Sequence, residues 1–444
     1  MKLAELVTLL KESGVVGAGG AGFPTFAKLD ERAKTILLNC AECEPLLKLH
    51  RQLLKERAQE ILIAFQMVAD TVGADNAIIG IKGEYRETID ALMAYMRDYP
   101  KVSIKLLDSA YPMGDEVVLV YEATGKVIRP GGLPIEAGVA VFNVETMYNI
   151  YRAVYEKTPV IDKVVSVVGE VEQPVSVRVP LGCTVEDVVK LAGNATIDEP
   201  VYFIGGPMMG YIGNAQTRVT KTTNAVIVLP KTHQIVQKKN SNSSIDLKRA
   251  SSSCCQCETC TNLCPRHALG HPIQPHLFMR AAINKDFRTT DTFLNTMFCS
   301  SCGVCEMFAC PQGLSPRSLI AEYKMGLKAA GAIAPPKVNA EPVKESRQYR
   351  KVPENRLEAR LGLAKYDKPA PLHEKVILMD TVSIPMSQHI GAPTTPAVEV
   401  GDIVKRGDVI GEAGKGLSVN IHASVSGKVT AVTKNLVTIK CVSE

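Results

Sequence analysis

The sequence predicts an α/β multidomain chain carrying a small helical module built on cysteine chemistry, and three observations lead there. Between residues 35 and 155, short apolar runs alternate with amphipathic helical patterns, the arrangement that gives a mostly parallel sheet with crossover helices. Residues 163–193 and 372–444 alternate apolar and polar positions in short runs broken by glycine and proline, as half-buried strands do. Between those stretches, residues 254–311 hold nine of the thirteen cysteines. A length of 444 residues with 46% hydrophobic content suits roughly two to four packed domains.

Composition narrows the function classes. The net charge of +5 comes without long basic blocks, and Trp is absent, so nucleic acid is not expected as a partner. There is no run of about 18 apolar residues. The N-terminal MKLAELVTLLKESG reads as a short amphipathic helix interrupted by charge and ended by Gly14. Neither a transmembrane span nor a secretory signal is predicted, and a cytoplasmic location with reduced thiols is the expectation.

In chain order, the first chemical motif is GVVGAGGAGFPTFAKL, residues 14–29, with five glycines within nine residues. Glycines let the backbone approach a ligand closely, and the N-terminus of the helical segment expected at 25–34 offers free N–H groups to an anion. The motif is neither a Walker A loop nor a GxGxxG fingerprint after a strand; it reads as a cradle for a phosphate-bearing cofactor. TILLN, residues 35–39, is a buried strand that runs into CAECEP. This places Glu42 and Glu44 at a strand end, where α/β folds bind ligands, before a long helix over about 46–72. Strands at 76–82 and 102–107 follow, with a helix after Glu84, then YPMGDEVVLVYEATGK and FNVETMYNIYRA. In the last of these, Asn143, Glu145 and Thr146 are candidates to hydrogen-bond a ligand.

GGAGFPTFAK, NCAECEP, MGDE and NVET, in this order, resemble the flavin-binding domain of the NADH-oxidising subunit of respiratory complex I and, more closely, the C subunit of the Rnf electron-transport complex. The resemblance implies a Rossmann-like domain over residues 1–158. FMN would lie against Gly17, Gly19, Gly20 and Lys28, with Asn39 and the Asn143 to Thr146 segment holding its ring and ribityl chain. It places NADH near Phe23, Glu44 and Glu116. The complex I branch carries Asp and Gly where this chain has Ala41 and Cys43. Cys40 and Cys43 form a CxxC, read as small residues of a reduced pocket, since a redox pair normally opens a helix in a thioredoxin-like unit.

Residues 163–193 pass through two strands to Thr184, an N-cap with Asp187 in the first helical turn. With YFIGGPMMGY they resemble the β-grasp, soluble-ligand-binding domain that follows the flavin domain in the same families, here residues 159–236, read as a docking module without its own ligand. The Ser-rich stretch 237–253 is expected to be a linker.

The cysteine runs come next. Cys254, Cys257, Cys260 and Cys264, with Pro265 following, have the CxxCxxCxxxCP spacing of bacterial ferredoxins. Cys299, Cys302, Cys305 and Cys310 repeat it with one extra residue before the last thiol. In two-cluster ferredoxins the fourth ligand is exchanged between runs, which assigns one [4Fe–4S] cluster to Cys254, Cys257, Cys260 and Cys310, and the other to Cys299, Cys302, Cys305 and Cys264. Zinc sites would favour two CxxC pairs over triplets, and a disulfide framework belongs to short secreted chains. Cys255 is left over. His267, His271 and His276 lie between the runs and invite a metal or corrinoid-ligand reading, with solvated or backbone-bonded histidine the commoner case. Ser315 and Pro316 mark an N-cap and first helical position, closing a ferredoxin-like module at 254–330. Residues 331–371 read as a linker with one short helix.

The tail, 372–444, has short strands with Gly-Asp turns and resembles the barrel-sandwich fold of biotinyl and lipoyl carriers. Lys415 falls near the position carriers modify but lacks the flanking residues of a carrier lysine. PMSQHIGAP and HASVSG occur at the opposite, N-terminal end of Rnf C subunits. That order, with CETCTNLCPRHALGHPIQPH, resembles over nearly the whole chain the cobalamin reductases of the propanediol-utilisation microcompartment. The resemblance implies NADH, FMN and two [4Fe–4S] clusters, with cobalamin as substrate for reuse by a diol dehydratase. An adenosyltransferase and shell proteins are the implied partners, and the microcompartment lumen the implied location. No side chain need act as general acid or base in such electron transfer. An Rnf-like electron-input subunit and a non-redox scaffold are the competing readings.

Overall fold

The computed structural model describes residues 1–335, 339–377 and 379–441. Residues 336–338, within the expected linker, and residues 378 and 442–444, within the tail, lie outside the described residues.

The N-terminal domain is a four-stranded parallel sheet with helices on both faces. Its elements are α1 (Leu3–Glu12), β1 (Thr35–Cys40), α2 (Leu49–Glu56), α3 (Ala58–Val72), β2 (Asn76–Lys82), α4 (Arg86–Met93), β3 (Val102–Leu107), β4 (Ala110–Tyr111), α5 (Glu116–Thr124), β5 (Val139–Asn143) and α6 (Val144–Tyr155). The strand order is β3-β2-β1-β5. Alternate residues of β1 point to opposite faces. Ile36, Leu38 and Cys40 pack with Leu6, Leu10, Phe65 and Ile150, whereas Leu37 packs with Val117, Leu119 and Val141 under α5. Burying such a Leu or Ile completely contributes about 1.5–3 kcal/mol, and α1 commits Leu6 and Leu10 to this core.

Local chemistry sets the helix ends. Asp115 caps α5 through Val117 N and Val118 N, and Asn143 caps α6 through Glu145 N and Thr146 N. The helix expected over 46–72 is two helices, because Arg57 leaves helical geometry (φ −122°) and directs its guanidinium to Glu60 and Glu374. The helix expected after Pro24 is a single 3₁₀ turn, Thr25–Lys28.

The second domain is a mixed sheet of β6 (Asp162–Gly169), β7 (Val175–Pro180), β8 (Pro200–Ile204), β9 (Tyr211–Gly213) and β10 (Ala225–Pro230), with α7 (Val185–Lys190) packed on it. Thr184 and Asp187 form the expected capping box.

Residues 237–253 are more ordered than their Ser-rich composition suggests. After α8 (Gln234–Lys239), Asn242 caps α9 (Ser243–Ser253), and Ala250 and Leu247 of that helix join the core of the cysteine module. Cap and apolar stripe together outweigh weak serine propensity. The stretch 331–371 behaves similarly beyond residue 338. Val352–Pro353 pairs with β4, Leu372–His373 pairs with β7, and Leu357, Leu361, Leu363 and Tyr366 are buried between them. It straps the domains together. In the tail, the antiparallel strands Thr381–Pro385, Gly427–Thr433 and Leu436–Cys441 enclose Val382, Ile384, Val429 and Ile439.

Candidate flavin and iron–sulfur site

The crevice at the carboxyl ends of β1 and β5 is the natural ligand position of this sheet, since the connections from these neighbours run in opposite directions. Asn39, next to last in β1, and Asn143, last in β5, stand directly opposite each other in the parallel register. Asn39 donates to Gly114 O (2.9 Å) and accepts from Ala41 N (3.1 Å). Asn143 caps α6 and meets His50 Nε2 at 3.2 Å. Burial pushes His50 down to about 3, so its ring is neutral.

Above this floor runs the glycine-rich loop, closed by Gly17 N donating to Phe23 O (2.9 Å). Ala18 N donates to Thr146 Oγ1 at 2.9 Å, which ties the loop to α6. Gly20 is left-handed (φ +59°), and a Cβ there would meet nothing within 4 Å, so its backbone is open; at Gly19 a Cβ would lie 2.8 Å from Asn224. Lys28 pairs with Glu116 (2.9 Å), donates to Val141 O (2.9 Å), and sits 5.9 Å from the Phe23 ring centre. Thr25 Oγ1 is buried with no partner. Open glycine backbone with an ammonium and an aromatic ring close by suits a flavin phosphate and ring.

Glu44 is engaged differently from Glu116. Its carboxylate accepts from Met208 N (2.8 Å) and Met209 N (3.0 Å) in the GGPMMG loop of the second domain, and burial raises it to about 7. Glu42 turns back to accept from His50 N and Arg51 N at the start of α2. Glu145, a ligand candidate by sequence, points inward and is buried against Lys163. Cys43 Sγ accepts from Gly114 N (3.2 Å), and burial pushes its thiol up to about 12; Cys40 is likewise buried and raised. Such thiols are unreactive.

Two lysines at this site carried no sequence signal. Lys163 is buried, paired with Glu145, and donates to Ala18 O (2.9 Å) and Asn224 Oδ1 (2.7 Å). Lys221 donates to Gly14 O (2.7 Å) and Asn420 O (3.1 Å). A lone lysine beside a strand looks like any surface lysine until the opposing domain is in place.

The cysteines of the third module gather around two cavities. One is lined by Cys254, Cys257, Cys260 and Cys310, with the spare Cys255 beside them, the other by Cys264, Cys299, Cys302 and Cys305, so each triplet is joined by the last thiol of the other run. Among the described residues no three His, Cys, Asp or Glu converge tightly enough for a single ion. Four thiols on each cavity are the donor set that a [4Fe–4S] cluster takes. Left-handed residues turn both loops, Gln256, Glu258, Ser301 and Gly303 among them, and donors reach the sulfurs: Ser301 N to Cys299 (3.3 Å), Leu314 N to Cys310 (3.3 Å) and Gln256 Nε2 to Cys254 (3.1 Å). Such contacts tune cluster potentials. His271 meets Ile128 O (2.9 Å) and His276 meets Thr261 (2.7 Å). Lys415 lies on an exposed hairpin of the tail.

Comparison with known proteins matches each region separately. Residues 10–152 match the Nuo51 FMN-binding domain, 164–212 the SLBB domain, 253–315 the 4Fe-4S dicluster domain and 367–442 the RnfC barrel sandwich hybrid domain. A flavin domain joined to a dicluster module through an SLBB domain defines a flavin and iron–sulfur oxidoreductase. The chain belongs to the PduS cobalamin reductase family. It is 40% identical to Cobalamin reductase PduS of Salmonella typhimurium over 98% of this chain and 96% of that protein. It is 39% identical to the Citrobacter freundii protein of the same name, over 97% and 95%. The C subunit of the Klebsiella pneumoniae ion-translocating oxidoreductase complex is 32% identical over 60% of this chain and 34% of its own length. The air-oxidised NAD+-reducing [NiFe]-hydrogenase shares the fold (TM-score 0.50, 21% identity, 83% of this chain and 68% of that one).

Proposed function

We propose that this chain is an NADH-dependent cobalamin reductase, using FMN and two [4Fe–4S] clusters to deliver electrons to a corrinoid. The observation that carries the reading is the crossed gathering of the two cysteine runs around two cavities on a module bonded to the flavin-type domain. Bound FMN would accept hydride from NADH and the clusters would pass on single electrons, so that the cofactors supply the hard chemistry. The residues supply position. Gly17, Gly19, Gly20 and Lys28 would hold the flavin phosphate and chain over the floor made by Asn39, Asn143 and Thr146. Phe23, Glu44 and Glu116 would line the nicotinamide side. Cys254, Cys257, Cys260 and Cys310 would ligate one cluster, and Cys264, Cys299, Cys302 and Cys305 the other. We further propose that the protein works beside an adenosyltransferase in a microcompartment lumen. No helix among the described residues is long and apolar enough to cross a membrane. Helix α1 buries Leu6 and Leu10 in the flavin-domain core, so recruitment by a shell would use another surface.

The test is anaerobic. The chain is reconstituted with iron, sulfide and FMN, NADH is added, and flavin and cluster absorbance are followed alongside added cob(III)alamin. Bleaching of all centres with corrinoid reduction is expected. Bleaching with the corrinoid left oxidised would overturn the reductase reading in favour of a relay whose acceptor lies on another protein.

A further inference from the structure

The two cysteine sets sit in unlike surroundings. In the set of Cys264, Cys299, Cys302 and Cys305, three thiols are at most 9% exposed, and the polypeptide around them is bonded to the flavin domain. Tyr111 donates its hydroxyl to Cys302 O at 2.6 Å in a buried contact. Arg266, two residues after Cys264, pairs with Asp115 at 2.8 Å. Asp115 caps the helix whose first residue is Glu116, the partner of Lys28. Gly114, one residue earlier, bonds Asn39 on the crevice floor. A covalent and hydrogen-bonded path of a few residues therefore runs from the crevice to this set. Met208, whose amide holds Glu44, also packs beside Gly303 in the same cysteine loop.

The other set is more open to solvent. Cys257 and the spare Cys255 are exposed, and Cys254, Cys260 and Cys310 are only partly covered. Its cavity is edged by Gln256, Glu258, His276 and Gln312.

We propose that the cysteine sets are an inner and an outer station: Cys264, Cys299, Cys302 and Cys305 receive electrons from the flavin crevice, and Cys254, Cys257, Cys260 and Cys310 deliver them to the acceptor at the rim made by Gln256, Glu258 and Gln312. Tyr111 is a positioning residue for the inner set. The electron count closes: NADH and two oxidised clusters give NAD+, one proton released to solvent and two clusters each reduced by one electron, and two acceptor molecules each take one. The inference rests on the proposed function for its donor and acceptor, but the inner and outer placement stands on the cysteine surroundings alone.

The test uses the reconstituted full-length holoprotein. Under anaerobic treatment with the iron chelator bathophenanthroline disulfonate, iron is expected to leave in two phases at least tenfold apart in rate, with one cluster's EPR signal lost first. Cys257→Ser is expected to reproduce that half-depleted state, identifying the lost cluster as the outer one. In the depleted protein, NADH still produces the EPR signal of the remaining reduced cluster at an undiminished rate, while transfer to cob(III)alamin falls at least tenfold. Tyr111→Phe, in otherwise intact protein, is expected to slow appearance of the inner signal several-fold and shift its midpoint potential, leaving the chelation rate of the outer cluster unchanged. Equal chelation rates for both clusters, or loss of NADH reduction of the remaining cluster once the outer one is gone, would overturn the ordering. If NADH reduces neither cluster in intact holoprotein, the proposed function fails instead, and the chelation phases still decide the placement.

Discussion

Lys163 and Lys221 both belong to the β-grasp domain, both are 1% exposed, and both donate to a carbonyl of the glycine-rich loop, yet they stabilise that loop by different means. Lys163 meets a carboxylate, Glu145, with Asn224 and Ala18 completing its shell. Lys221 meets only the carbonyls of Gly14 and Asn420, and burial without an acid drives it down to about 7. Nearby His422, pushed down to about 3 by burial and by Lys221, has an unpartnered Nδ1. The first contact is a buried ion pair that fails badly if halved. The second is a pH-dependent clasp among three domains. The glycine-rich loop is thus shaped from outside its own domain, firmly at one end and adjustably at the other.

The sharpest way to break the contrast is Lys163→Met. It leaves Glu145 buried and unpaired, and breaking such a pair costs about 3–5 kcal/mol. The expected outcome is a lower thermal midpoint together with loss of FMN on gel filtration. Adding Glu145→Met should recover much of the stability, because removing both charges avoids the unpaired one, while FMN retention stays impaired with Ala18 no longer held. Recovery of both properties would show that the lysine acts only as a counter-ion.

Gly22→Ala tests the loop itself. Gly22 is left-handed (φ +66°), and a Cβ would lie 2.8 Å from Thr222 Cγ2 and 3.2 Å from Gln388 O. The left-handed conformation costs an alanine about 1–2 kcal/mol, and overpacking adds about 1–3 kcal/mol. Gly20→Ala, with open space around it, should carry only the first cost in stability while weakening FMN binding, measured by fluorescence titration. Equal stability losses at the two glycines would contradict the interdomain packing at Gly22.

Lys221→Met should change stability at pH 7 by less than about 2 kcal/mol, since two hydrogen bonds are lost as a buried ammonium is removed. Its signature is the pH profile. The folded value of Lys221 lies near 7, below its ordinary 10.5, so over this window the unfolded chain binds more protons than the folded one, and stability rises with pH. The benefit is present above 10.5 and is lost as pH falls through 7. Thermal midpoints of wild type should therefore rise relative to Lys221→Met between pH 7 and 9.5, and parallel profiles would refute the clasp. The smallest expected effect belongs to Lys415→Ala on its exposed hairpin, which should leave stability and cobalamin reduction unchanged, with intact mass showing no prosthetic group on the wild-type lysine.

Much of the fold was legible in the sequence wherever a short-range pattern carries it. The strands at 76–82 and 102–107 fall where apolar runs predict them, and the Thr184 and Asp187 capping box forms as its spacing requires. Cysteine spacing leads one to expect each triplet to meet the other run's last thiol, and the two cavities gather the thiols in those sets. Serine-rich α9 was not legible, since its stability comes from a cap and from packing on another module. Nor was Glu145, whose neighbours in NVET suggest a ligand contact and whose partner arrives from the next domain.

The amino-acid sequence by itself determined the order of domains, the strand and helix patterns, the spacing within each cysteine run and the glycine loop, because each depends on residues a few positions apart. Only the tertiary structure decided that Lys163 would reach Ala18, 145 residues away, that Tyr111 would meet Cys302 across 191 residues, and that one cysteine set would be more deeply buried than the other. Those outcomes depend on which domain surfaces meet, and a buried charge or hydroxyl acquires its role from the partner that replaces water around it.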